Sequence, residues 1–104
     1  MLEGSLYTVL SCSEGCARVQ FLPESPIYQA HFPDYPITPG VCLVQTVLEL
    51  MGCKLLGAKD IKFVMPVFPG AELRVEWTRQ DGRADINLFL EPAGDLCAKM
   101  TLSV

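Results

Sequence analysis

The sequence predicts an α+β domain in which an antiparallel sheet of five to six strands wraps one long central helix. Two observations carry this. Residues 41–56 form a helix-length apolar run, and on both sides of it lie short segments in which apolar and polar residues alternate. Alternation of period two marks strands with one buried face. Two such strands before a lone helix and four after it give an α+β order rather than a repeating βαβ one. The chain has 104 residues, so one domain spanning 1–104 is expected. There are no repeats, linkers or low-complexity tracts.

The elements follow in order. Strands are expected over 6–10 and 16–22, joined by a turn at Ser13-Glu14-Gly15, with Ala17, Val19 and Phe21 alternating against Arg18 and Gln20. Residues 23–28 read as loop. Pro33, Pro36 and Pro39 then fix φ at three points and bias the residue before each toward extended backbone. The stretch from Ala30 to Gly40 is therefore a stiff, extended loop. After the helix, Gly57 is the expected C-cap, with Lys54 and Lys59 suited to the helix's negative end. A strand over 61–67 is interrupted by Pro66, which marks an edge or a bulge. In 72–79, Leu73, Val75 and Trp77 share one face, and Asp81-Gly82 makes a hairpin into 84–90, where Ile86, Leu88 and Leu90 face inward. A turn at 91–95 leads to a last strand over 96–104, with Leu96, Ala98, Met100, Leu102 and Val104 inward.

The helix is apolar in almost every direction, which predicts burial all round. About 16 residues with Gln45, Thr46, Glu49 and Lys54 among them are too few and too polar to span a bilayer, which takes about 20. Gln45, Thr46 and Glu49 lie at helical spacing and are expected to form one polar stripe. Buried polar groups need partners, a carboxylate most of all. The only histidine, His31, stands at the start of the stiff loop, and the helix N-terminus at its end. An imidazole beside the positive end of a helix suits chemistry on a polarised carbonyl.

Composition narrows the partners. Half the residues are apolar, more than so small a domain needs inside, which predicts apolar surface left for another subunit. A net charge of −4 with no basic face argues against nucleic acid. The start, Met1-Leu2-Glu3-Gly4, has neither the basic residues nor the apolar core of a signal peptide. Five cysteines fit neither a disulfide framework nor a tetrahedral metal site, so no metal is expected and the cytoplasm is the natural compartment.

His31-Phe32-Pro33-x-x-Pro36-Ile37-x-Pro39-Gly40-Val41 resembles the signature of the 3-hydroxyacyl-[acyl carrier protein] dehydratases, which have the hot-dog fold. Residues 61–70, ending in Pro69-Gly70 and followed by Glu72-Leu73-Arg74, resemble that family's second landmark. The resemblance implies a dehydratase of fatty-acid or related acyl synthesis, acting on thioesters of acyl carrier protein or coenzyme A, with no other cofactor. It implies a homodimer or higher oligomer with active sites shared between subunits. His31 would remove the α-proton, held by the Ile37 carbonyl, and the Gly40 N–H would receive the thioester oxygen. Phe32, Pro33, Ile37, Pro39 and Val41 would line the substrate. The carrier is expected to dock near Lys54, Lys59 and Lys62.

The sequence departs from the pattern at the acid. Fourteen residues after His31, where the family has Glu or Asp, stands Gln45, and where it commonly has Gln stands Glu49. An amide has no proton to lend near neutral pH. One helical turn would move a carboxylate about 6 Å along the axis. Asp34 also replaces the usual glycine. Three classes stay open: a dehydratase using His31 with Gln45 or Glu49, an acyl-thioester-binding or inactive subunit, and a hot-dog thioesterase in which Glu49 activates water.

Overall fold

The computed structural model describes residues 1–30 and 34–104. His31, Phe32 and Pro33, three of the expected site residues, lie outside the described residues. Eight elements follow the chain: β1 (Tyr7–Ser13), β2 (Cys16–Phe21), α1 (Pro26–Ala30), α2 (Gly40–Met51), β3 (Gly57–Phe63), β4 (Glu72–Gln80), β5 (Arg83–Leu90) and β6 (Asp95–Ser103). The strands form one six-stranded sheet in the order β1-β2-β4-β5-β6-β3, every neighbouring pair antiparallel. This is the expected α+β fold, with β1 and β3 at the edges.

Alternation built the core as expected. Val19, Phe21, Leu73, Val75, Ile86, Leu88, Met100 and Leu102 share one buried core with Leu43, Val47 and Leu48 of α2, and Ala17 is buried too. Leu96 is an exception. The β5–β6 register pairs Leu88 with Ala98 and Phe89 with Leu96, so Cys97 is an extra residue in a bulge. That bulge turns Cys97 inward and leaves Leu96 half-buried.

Four expectations are corrected. First, α2 has 12 residues and stops at Met51, not near residue 56. Gly52 follows in the left-handed region (φ 67°), its N–H bonded to the Glu49 carbonyl and the Cys53 N–H to the Leu48 carbonyl. That is a Schellman ending, and Gly52, not Gly57, is the cap. Secondly, Gly57 opens β3, so the strand expected over 61–67 lies four residues earlier. It begins where Leu56 N–H meets the Ser103 carbonyl and ends as Val64 and Met65 share the Cys97 carbonyl. Pro66, with no N–H, lies beyond the pairing. Thirdly, α2 is not buried all round: Val41 is 76% exposed, and Gln45 also faces out. A short helix, α1, stands where loop was expected, opened by Pro26 at its first position. Among the described residues, no helix is long and apolar enough to cross a membrane.

The two glycines separate in a substitution test. Gly52→Ala is expected to cost about 1–2 kcal/mol, because alanine must adopt the left-handed conformation. Gly57→Ala should stay within about 0.5 kcal/mol, since the nearest atom to the added methyl is the Ser103 Cβ at 3.9 Å. Urea denaturation showing the reverse order would return the helix end to Gly57.

Candidate active site

The backbone from Pro36 to Gly40 runs extended into α2 and is tied down at Thr38, whose N–H donates to the Val67 carbonyl at 2.7 Å. Pro39 is the N-cap (φ −59°, ψ 143°) and offers no capping side chain. Its carbonyl accepts from Cys42 and Leu43 N–H at 2.9 and 3.2 Å. Among the described residues, the N–H groups of Gly40 and Val41 have no backbone partner. They are the orphan donors that open every helix, at the positive end of its dipole.

Beside them lies a groove of about 310 Å³, walled by Ile37, Gly40, Leu43, Phe63, Val64 and Val67. Phe63, the last residue of β3, sets its shape. A Cβ on residue 40 would stand 2.6 Å from the ring's Cζ and 2.7 Å from its Cε2. Only glycine admits the ring there. The groove's lining residues are apolar apart from Thr38, a setting in which a hydrogen bond to a developing oxyanion is strong.

Gln45 and Glu49 are elsewhere on the helix. The Glu49 carboxylate accepts four hydrogen bonds: from Leu2 N–H (2.7 Å), Glu3 N–H (3.1 Å), Tyr7 OH (2.8 Å) and Gln45 Nε2 (3.0 Å). Glu49 thus anchors the N-terminal hook, which Gly4 turns at φ 85°. Burial pushes its pKa up, but the bonds from Gln45, Leu2, Tyr7 and Glu3 outweigh that and hold it below the ordinary value. It stays a carboxylate. Thr46, expected in the same stripe, is fully buried on another face and donates to the Cys42 carbonyl at 2.8 Å. Gln45 lines a second groove, of about 330 Å³, with Val41, Val44, Leu48, Lys54 and Leu55.

Of the expected site residues, the structure thus brings together Ile37 and Gly40 in one groove, with Pro39 capping the helix beside them, and Val41 and Gln45 in another. Glu49 is engaged by the chain's own N-terminal segment. The three lysines have different neighbours. Lys54 borders the Gln45 groove, Lys59 lies in a polar cleft with Arg79 and Arg83, and Lys62 pairs with Lys99 across β3 and β6. Phe63, Tyr7, Tyr28 and Thr38 were not singled out from sequence. Phe63 stood inside the second landmark, six residues before Pro69-Gly70, but its approach to Gly40, like the tyrosine contacts, arises only in the folded chain. Among the described residues, no group of three His, Cys, Asp or Glu side chains could hold a metal ion.

Helix, wrapped sheet and a groove at the helix N-terminus define the hot-dog class of dehydratases and thioesterases. Within it, residues 11–101 match the ApeI-like family, described as ApeI dehydratase, and the chain belongs to that family. A 3-hydroxyacyl-[acyl-carrier-protein] dehydratase FabZ from Geotalea uraniireducens is 35% identical over 68 residues, covering 51% of this chain and 47% of the relative. The chain spans about half the length of the curated relatives it matches. The fold is shared with the dehydratase heterocomplex ApeI:P from Xenorhabdus doucetiae, at TM-score 0.71, 18% identity and 97% of each chain covered. It is also shared with thioesterase superfamily member 2 from Mus musculus, at TM-score 0.59, 16% identity, and 92% and 78% covered.

The anchor has a pH signature. A carboxyl whose pKa is lowered by folding stabilises the fold fully above its ordinary value, near 4.5, and that contribution is lost as pH falls through the lowered value. Glu49→Gln is therefore expected to cost about 1–3 kcal/mol at neutral pH. The gap to the parent protein should close as the medium is acidified through the carboxyl range. Equal stability at pH 7 would mean that the N-terminal hook does not depend on Glu49.

Proposed function

We propose that the chain is a dehydratase-type acyl-thioester protein, taking 3-hydroxyacyl thioesters of acyl carrier protein or coenzyme A toward trans-2-enoyl thioesters. The observation that carries this is the apolar groove at the uncapped helix N-terminus. A thioester carbonyl seated there meets the Gly40 N–H, and the enolate charge that develops when an α-proton is lost would fall on that oxygen. His31 is the base in this reading, as in the family pattern. Position 45 serves the site of a facing chain, since on a single chain Gln45 opens into a different groove from Gly40. The exposed apolar residues at Val41, Phe63, Val64 and Leu56 support pairing along that face and the β3 edge, with a second copy or with a related hot-dog subunit. Five free thiols suit a reducing compartment such as the cytoplasm.

The step after enolate formation is where this chain differs. The hydroxyl must leave with a proton, and Gln45 has none to give. Its Nε2 is engaged by Glu49, which leaves the amide's carbonyl oxygen as an acceptor for the substrate hydroxyl. That observation supports a second reading, a subunit that binds and orients the thioester with slow or no elimination. It weighs against the thioesterase, because Glu49 is already committed to four donors.

The test follows purified protein with 3-hydroxyacyl and crotonyl thioesters, recording double-bond absorbance and free thiol together. Enoyl formation without thiol release, abolished by His31→Ala and raised about 10²–10⁴-fold by Gln45→Glu, is the expected result. Binding with no turnover in the parent protein, but turnover in Gln45→Glu, would place it as the binding subunit. Thiol release dependent on Glu49 would overturn the proposal.

A further inference from the structure

One buried polar contact beside the groove has no part in the chemistry above. The Tyr28 hydroxyl and Thr38 Oγ1 lie 2.7 Å apart, in residues only 4% and 5% exposed. Two hydroxyls in an apolar setting are costly to bury and satisfy each other here. A phenylalanine and a valine would fill the same space without that cost, so packing alone does not call for this pair.

Its position gives it a use. Tyr28 belongs to α1, and its own N–H is held by the Ser25 carbonyl at 3.2 Å. Thr38 is two residues before Gly40 and borders the groove. Its backbone is bonded to Val67 on the opposite wall. The segment is thus gripped from both sides, by side chain toward α1 and by backbone toward the connection after β3. Pro36 and Pro39 fix φ at either end of the segment. The φ angles left free between them are those of Ile37 and Thr38, and the Tyr28 bond adds a restraint there to the Val67 one. Rotation there would swing the Gly40 N–H relative to the Phe63 ring.

We propose that Tyr28 is a positioning residue: its hydroxyl, through Thr38, holds the 37–40 backbone so that the Gly40 N–H addresses the groove. This rests on the groove being the thioester site. The bond acts on orientation, so its loss should lower kcat more than it raises KM.

Four variants separate positioning from stability. Tyr28→Phe strands the Thr38 hydroxyl and should lower both melting temperature and kcat, the latter about 10–100-fold. Tyr28→Phe with Thr38→Val removes both polar atoms and should recover most of the stability. In that double variant kcat should stay low, and the Thr38 amide should exchange with deuterium faster than in the parent protein. Thr38→Ser, which keeps the hydroxyl, should lose less than Thr38→Val. A double variant with parental kcat and unchanged Thr38 exchange would overturn the inference. If the parent protein turns over no acyl thioester, the reading of the groove fails separately. The exchange rate then still decides whether Tyr28 holds the segment, and parental protection in Tyr28→Phe would sink it.

Discussion

The structure around the site depends on a side chain that residue 40 lacks. With hydrogen alone on its Cα, Gly40 lets the Phe63 ring close on the first turn of α2, nearer than any Cβ would permit. That contact joins the edge strand β3 to the helix N-terminus. It also fixes the distance between the donor end of the helix and the apolar wall opposite. A wider gap would admit water and weaken any hydrogen bond to a forming oxyanion; a narrower one would leave no groove. The left-handed stop at Gly52 fixes the other end of α2, so both ends are set by glycines for different reasons.

The two grooves clarify what the Gln45 and Glu49 exchange does. On a lone chain, the Gly40 groove lacks any acid among the described residues, and Gly40 itself does not border the Gln45 groove. Completion by a facing subunit would bring the two kinds of surface together, which agrees with the apolar side chains left open on that side. Glu49 has taken up a structural task in the chain's own N-terminal hook. A carboxylate with four donors is a poor proton source, because protonation would break the bonds that lowered its pKa. Relative to the family pattern, the negative charge therefore stands in an anchor, at Glu49, and not at position 45.

Much of the fold was legible because period-two alternation is local. Leu73 and Val75, or Ile86 and Leu88, declare their strand without reference to anything distant. What the sequence concealed depended on competition or on long-range partners. Gly52 and Gly57 both resemble helix stops, and the choice between them was made by β6, whose Ser103 draws Leu56 and Gly57 into an edge strand. The Cys97 bulge inverted one side-chain direction because alternation has no register of its own. Thr46 read as a member of the polar stripe, yet its hydroxyl turned back to the Cys42 carbonyl, as threonine in a helix often does. The partners of Glu49 at Leu2, Glu3 and Tyr7 lie 42 to 47 residues away, beyond any spacing rule. At the site, the Gly40 end was legible from the proline-glycine pattern, whereas the Tyr28–Thr38 bond and the Phe63 wall were not.

The most direct measurement concerns the Gly40 amide. Its nitrogen and proton resonances can be followed by NMR as a crotonyl thioester of pantetheine is titrated into the protein. With the carbonyl seated at the helix N-terminus, the Gly40 N–H should show the largest downfield proton shift in the chain, with Thr38 and Leu43 moving less. Saturable shifts gathered elsewhere, with Gly40 unmoved, would contradict the account.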